Sequence, residues 1–127
     1  MENNKLIAEF MELPTEVSNS GNLNYYFKEF NSGTWYEEQE LSYNISWDWL
    51  MPVVEKIRKV PSWDRDKFST EVVIYGDKTS IKSKGYGEKE HSKSFFNKSV
   101  RGKYNSIEPT HKAVIEFIKW YNLNKNN

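Results

Sequence analysis

Lys82, Lys84, Lys89, Lys93, Lys98, Arg101 and Lys103 crowd one stretch of the chain and are interleaved with Tyr86, Phe95, Phe96 and Tyr104. Cations can hold phosphates and aromatic faces can stack on bases, the two ingredients of binding a nucleotide or a short nucleic acid. Lys82, Lys84, Tyr86, Lys93, Lys98, Arg101 and Lys103 are therefore the candidate ligand-binding residues. The same stretch also reads as a solvated basic loop whose Phe95 and Phe96 tuck into the core. The formal net charge of zero favours that second reading, because a dedicated nucleic-acid binder is usually basic overall.

Other chemistry needs residues that the chain lacks or scatters. There is no cysteine, which removes disulfides, thiolate metal sites and cysteine nucleophiles. His91 and His111 are the only histidines, they form no His-x-x-x-His pair, and each is expected at the solvated surface. Glu37, Glu38 and Glu40 stand together and Asp64 and Asp66 lie close in sequence, but an acidic run without a partner base or phosphate motif reads as a solvated face. Gly85-Tyr86-Gly87 is too short for a phosphate loop. A hydrolase or nuclease using Asp64, Asp66 and a metal is the weakest of the functional options. No catalytic residue, metal ligand or cofactor is assigned, and the chain is expected not to be an enzyme.

The elements that must position the basic stretch show in the periodicity. Leu6, Ile7, Phe10, Met11 and Leu13 recur at spacings of three and four, which predicts a short helix over 4–13, capped by Asn3 or Asn4 and stopped by Pro14. Ser18 to Asn22 reads as a turn. Loose alternation from Leu23 to Phe30 and from Thr34 to Tyr43 predicts a strand pair about Asn31-Ser32-Gly33. Ser46 can cap a second helix with Trp47, Leu50, Met51, Val54 and Ile57 in one stripe, and Pro52 either kinks its first turn or moves its start to Trp49. Residues two apart on a helix point about 200° away from each other, so Trp47 and Trp49 cannot form one stacking platform. Trp47 is expected in the core and Trp49 on its rim or in contact with another layer. Val72-Val73-Ile74-Tyr75 is the strongest strand signal, and Gly76-Asp77 suits a type II′ turn into a strand through Thr79 and Ile81. Residues 82–105 have little periodicity and read as a long basic loop or a ragged extension of the sheet. A last helix starts near Ser106 or Glu108, takes Pro109 in its first turn and buries Val114, Phe117, Ile118 and Tyr121.

This order implies an α+β domain spanning 1–127, with a mostly antiparallel sheet of about three to four strands covered by three helices. The aromatic content, five Trp, eight Tyr and seven Phe, supplies large contact areas to a core of modest apolar content. No run approaches the ~20 apolar residues of a membrane span, so a soluble protein without membrane contact is expected, placed in the cytoplasm. The net charge hides an asymmetry. Residues 1–66 carry twelve acids against six Lys and Arg, whereas residues 77–103 carry eight Lys and Arg against three acids. Such a split bears on partners rather than on fold.

The stretch Ser46-Trp47-Asp48-Trp49-Leu50-Met51-Pro52-Val53-Val54-Glu55-Lys56-Ile57, read with Ala113-Val114-Ile115-Glu116-Phe117-Ile118-Lys119-Trp120-Tyr121-Asn122, resembles small phage and prophage proteins built on the phage ABA sandwich domain. The resemblance covers the three helices, about a third of the chain. It implies a sheet sandwiched between helical layers and a life in the host cytoplasm. That family has no established activity, so the function it implies is a non-enzymatic phage accessory protein. Such a protein would act by binding a host or phage protein against a host process or anti-phage defence, and a homo-oligomer is a further option. The alternative is a binder of a nucleotide or short nucleic acid through residues 82–104. Pro109 and the basic 77–103 stretch depart from the family pattern.

Overall fold

Three helices and six strands alternate along the computed structural model, which describes residues 2–29, 32–60, 70–83 and 96–124. The order is α1 (Glu2–Phe10), β1 (Thr15–Val17), β2 (Leu23–Glu29), β3 (Ser32–Glu37), a 3-10 turn (Glu38–Glu40), α2 (Trp47–Arg58), β4 (Glu71–Ile74), β5 (Lys78–Ser83), β6 (Phe96–Arg101) and α3 (Glu108–Asn124). The α+β class, the helices and the antiparallel pairing agree with the sequence. The strands divide into two sheets of three, ordered β1-β2-β3 and β4-β5-β6. One core cluster runs through the molecule, drawing on α1, β2, α2, β4, β5 and α3.

α1 buries Ile7, Ala8 and Phe10 as its spacing implies, but it stops three residues before the expected end. Glu12 takes a left-handed φ of 56°, its N–H bonds the Glu9 carbonyl, and the Leu13 N–H reaches back to the Ala8 carbonyl at 3.1 Å. These two bonds close the last turn as a Schellman motif, with a glutamate where glycine is usual. Asn4 is not a cap. Its carboxamide donates to the carbonyls of Glu38 (3.0 Å) and Leu41 (2.9 Å), pinning the 3-10 turn to the side of α1. Lys56 of α2 donates to the Phe10 carbonyl and lies 5.1 Å from the Phe10 ring centroid, so a cation closes the C-terminal end of α1.

α2 begins at Trp47 and runs through Pro52. Proline leaves the Asp48 carbonyl without its usual donor, which is tolerated here because both residues lie on the exposed side. Ser46 stands at the N-cap without a side-chain capping bond. The buried stripe is Trp49, Leu50, Val53, Val54 and Ile57, so Trp47, expected in the core, is instead 38% exposed, and Trp49, 8% exposed, is the one that meets another layer. The first sheet decides this. Its inward ring Phe27 stacks on Trp49 with centroids 3.7 Å apart, while Tyr36 and Tyr43 meet the indole edge-on at 5.1 and 5.4 Å.

β4 and β5 form the expected hairpin, but without a type II′ turn, because Gly76 does not take a positive φ. Glycine suits the position for a different reason. A Cβ on Gly76 would lie 2.4 Å from Cε2 of Tyr104, whose ring covers the turn. The 82–105 segment, read as a long loop or a ragged extension of the sheet, contributes the end of β5 and all of β6, so its described part follows the second alternative. Residues 84–95 lie outside the described residues, as do Asp64, Asp66 and His91.

The Trp49 box yields a test. Trp49→Ala should lower stability by about 3–5 kcal/mol, as for a large core aromatic, and Trp47→Ala by less than about 1 kcal/mol. Chemical denaturation of the two variants checks this, and equal losses would contradict the observed helix register.

Candidate binding groove

Pairing partners in an antiparallel ladder point to the same face of the sheet. Thr79, Ile81 and Ser83 of β5 are buried, so their partners Val100, Lys98 and Phe96 also point toward α3. Phe96 packs edge-on against Phe117 at 5.5 Å and touches Trp120 at 5.6 Å. Lys98 is the anomaly, a cation at a helix-facing position of an edge strand.

Lys98 is exposed because β6 overhangs the flank of α3, and the gap between strand and helix is a groove of about 360 Å³. Val100 and Ile115 form its apolar floor, Lys98, Lys112 and Lys119 its rim, with His111, Glu116 and Asn3 completing the wall. Helical spacing explains the wall, since residues 111, 112, 115, 116 and 119 share one flank. Lys112 pairs with Glu108 at 3.0 Å on the exposed surface, a bond that holds the Glu108 carboxyl below its usual range.

His111 is half-buried rather than solvated. Its Nε2 is buried without a hydrogen-bond partner among the described residues, and desolvation lowers its pKa from the ordinary 6.5. The folded protein therefore holds the imidazole neutral at pH 7.

Among the described residues the other edge of β6 is open. The sheet ends there, and the Gly102 N–H bonds the Asp77 carbonyl at 2.9 Å, which fixes the phase of the ladder. Counting back from that bond, Phe96, Lys98 and Val100 direct their backbone groups to β5, and Asn97, Ser99 and Arg101 direct theirs outward. Among the described residues no backbone hydrogen bond reaches that outward side. An unpaired six-residue edge beside an apolar-floored groove is able to accept another strand.

The candidate residues of the sequence do not gather in one place. Lys82 and Arg101 lie on the outer face of the second sheet, Lys98 lies on the groove face, and Lys103 is exposed after β6. Lys84, Tyr86 and Lys93 lie outside the described residues. On the outer face Lys78 is directly opposite Arg101. Asp77 answers Arg101 at 3.5 Å, and the Tyr75 ring lies 4.9 Å from the Lys78 ammonium. A second cavity, of about 200 Å³ beside Glu9, Glu12 and Tyr121, contains Lys56, which is already spent on the end of α1. His111, Lys112 and Lys119 were not singled out in the sequence as a site, although their spacing on one helix flank was readable. No group of three or more His, Asp and Glu able to hold a metal ion occurs among the described residues, and no helix among them is long and apolar enough to cross a membrane.

Comparison with protein families, with characterised proteins and with solved structures finds no match.

The His111 environment implies a pH dependence with a definite sign. The unfolded chain takes up a proton near pH 6.5 and the folded chain only at lower pH, so the contribution is complete above that point and declines as pH falls below it. Melting curves from about pH 7 to about pH 5 should show a steeper loss for the natural chain than for His111→Gln. Parallel losses would contradict a desolvated imidazole.

Proposed function

We propose that this chain is a non-enzymatic, phage-encoded accessory protein that acts by holding a protein partner, with the groove between β6 and α3 as the contact site. The observation that supports this reading best is the edge of β6, unpaired among the described residues, beside the groove. Such an edge is a liability in a protein with no use for it, and exposed edges are ordinarily blunted or covered. The placement in a phage, against a host process or defence, rests on the likeness of the Ser46–Ile57 and Ala113–Asn122 stretches to ABA sandwich proteins. Exposed apolar side chains add to the case for protein contact. Trp35 is 42% exposed beside Tyr26, and Val17, Ile45 and Trp47 are also open to solvent. In a test of this reading, the tagged full chain should retain a stoichiometric host or phage protein at about 0.15 M salt, and Lys98→Glu/Lys119→Glu should release it. A chain that retains nothing, or a partner held equally by the double variant, would contradict it.

One observation favours a second reading, capture of a nucleotide or short nucleic acid on the outer face of the second sheet. Like charges directly opposite each other are unfavourable in a sheet, and Lys78 and Arg101 are so placed on a face that also presents Tyr75 and Lys82, with Asp77 3.5 Å from Arg101 and Glu71 opposite Lys82 as its acids. An anion between them would relieve the repulsion. This reading predicts binding of single-stranded oligothymidylate that weakens steeply with salt and drops at least about tenfold in Lys82→Glu/Arg101→Glu. Fluorescence anisotropy decides, and binding indifferent to both salt and the substitutions would exclude it.

A further inference from the structure

Resting on the protein-partner reading, we infer that the partner is taken up as an extended acidic segment that adds to the free edge of β6 as a fourth strand, with alternate side chains entering the groove against α3. Strand addition supplies affinity through main-chain hydrogen bonds and selectivity through pockets for every second side chain. Both requirements are present. Asn97, Ser99 and Arg101 offer outward N–H and carbonyl groups, and the groove offers an apolar floor at Val100 and Ile115.

Charge names the chemistry of the occupant. Lys98 and Lys119 line the groove against one acid, Glu116, while Lys112 is paired with Glu108. On the opposite face of the same strand, Arg101 stands beside the free edge, with its guanidinium only loosely engaged by Asp77 at 3.5 Å. A strand laid along β6 would therefore meet cations on both of its faces. Carboxylates there would be favoured and lysines repelled, which excludes wrong partners as much as it attracts right ones. Apolar residues alternating with acids fit best, the apolar ones above Val100 and Ile115 and the acids toward the rim.

The segment is distinguished from nucleic acid by what it needs from the backbone. A nucleic acid held by Lys98 and Lys119 would be indifferent to the amide of Ser99, whereas an added strand requires it. Ser99→Pro removes that N–H and keeps the backbone bonds to β5, because the Ser99 backbone points away from β5 and proline is tolerated on such an edge; it gives up only the exposed hydroxyl pair of Ser80 and Ser99, 2.7 Å apart.

The test uses the full chain and a labelled peptide of about eight residues alternating Val and Glu, long enough to lie along the strand. A matched Val and Lys peptide and a single-stranded oligothymidylate serve as the other arms, with anisotropy as the readout. The inference expects the acidic peptide to bind, the basic one not to bind, and affinity to fall at least about tenfold in Ser99→Pro and in Lys98→Glu/Lys119→Glu alike. Circular dichroism checks that each variant is folded. The charge-reversed double variant changes only exposed residues and keeps the test decisive if Ser99→Pro does not fold. Absence of acidic-peptide binding overturns the inference, as do equal binding of the two peptides, binding unaffected by a folded Ser99→Pro, groove-dependent binding of the oligonucleotide alone, or occupation of β6 by a second copy of the chain. A retained partner that survives Ser99→Pro but is lost in the double variant would overturn strand addition and leave the protein-partner reading standing. A chain that retains no partner but binds the acidic peptide would do the reverse.

Discussion

The hydroxyl pair of Thr79 and Thr110, 2.6 Å apart and buried between β5 and α3, is the constraint on which the arrangement of the C-terminal half depends. Apolar contacts between a helix and a sheet tolerate sliding, because one aliphatic side chain substitutes for another. Two buried hydroxyls do not. Shifting α3 by one turn, about 5.4 Å, would separate them and leave each unpaired, at a cost of about 1–3 kcal/mol per group. The pair therefore fixes which residues of α3 face the sheet and which face the groove. Ala113, Val114, Phe117 and Ile118 are fully buried on the first side, and His111, Ile115 and Lys119 are turned to the second.

From that register the rest of the groove follows. β6 is an edge strand and α3 does not cover its outer margin, so a helix-facing position there can hold a lysine. Lys98 is exposed there and lines the groove beside Val100. The same overhang leaves the outward amides of β6 exposed. In the N-terminal half the organising contact is aromatic, with Trp49 enclosed by Phe27, Tyr36 and Tyr43. α2 joins the two halves, giving its indole to the first sheet and an Arg58 hydrogen bond, 3.1 Å, to the Val72 carbonyl of β4.

Helices were the most legible elements, since spacings of three and four survive almost any packing. Leu50, Val54 and Ile57 of α2 are buried as their spacing implies, but which tryptophan flanks them was not legible. The stripes through Trp47 and through Trp49 are both apolar at helical spacing, and only the rings of β2 and β3 choose between them. β1 escaped because Thr15, Glu16 and Val17 are all exposed and show no inward position. β6 was legible only as a ragged extension of the sheet, the alternative to a long loop, and for a more useful reason. Phe96, Lys98 and Val100 are its helix-facing positions, and the lysine in the middle breaks the alternation that would have marked a strand. The residue that hid the strand is the one that lines the groove. His111 was misjudged in the same way, because a polar residue in a first turn gives no sign of how closely a neighbouring strand approaches it. The basic character of 77–103 was plain in the sequence, but its division between two faces follows from strand pairing, which composition does not contain.

The most direct measurement is amide hydrogen exchange, resolved by residue, on the full chain before and after it takes up its protein partner. An added strand must protect Asn97, Ser99 and Arg101, whose amides face outward in the free chain, while Lys98 and Val100, already bonded to β5, change little. Protection in that alternating pattern is the predicted result. Protection confined to the first sheet, or spread over the outer face of the second without alternation along β6, would contradict the account.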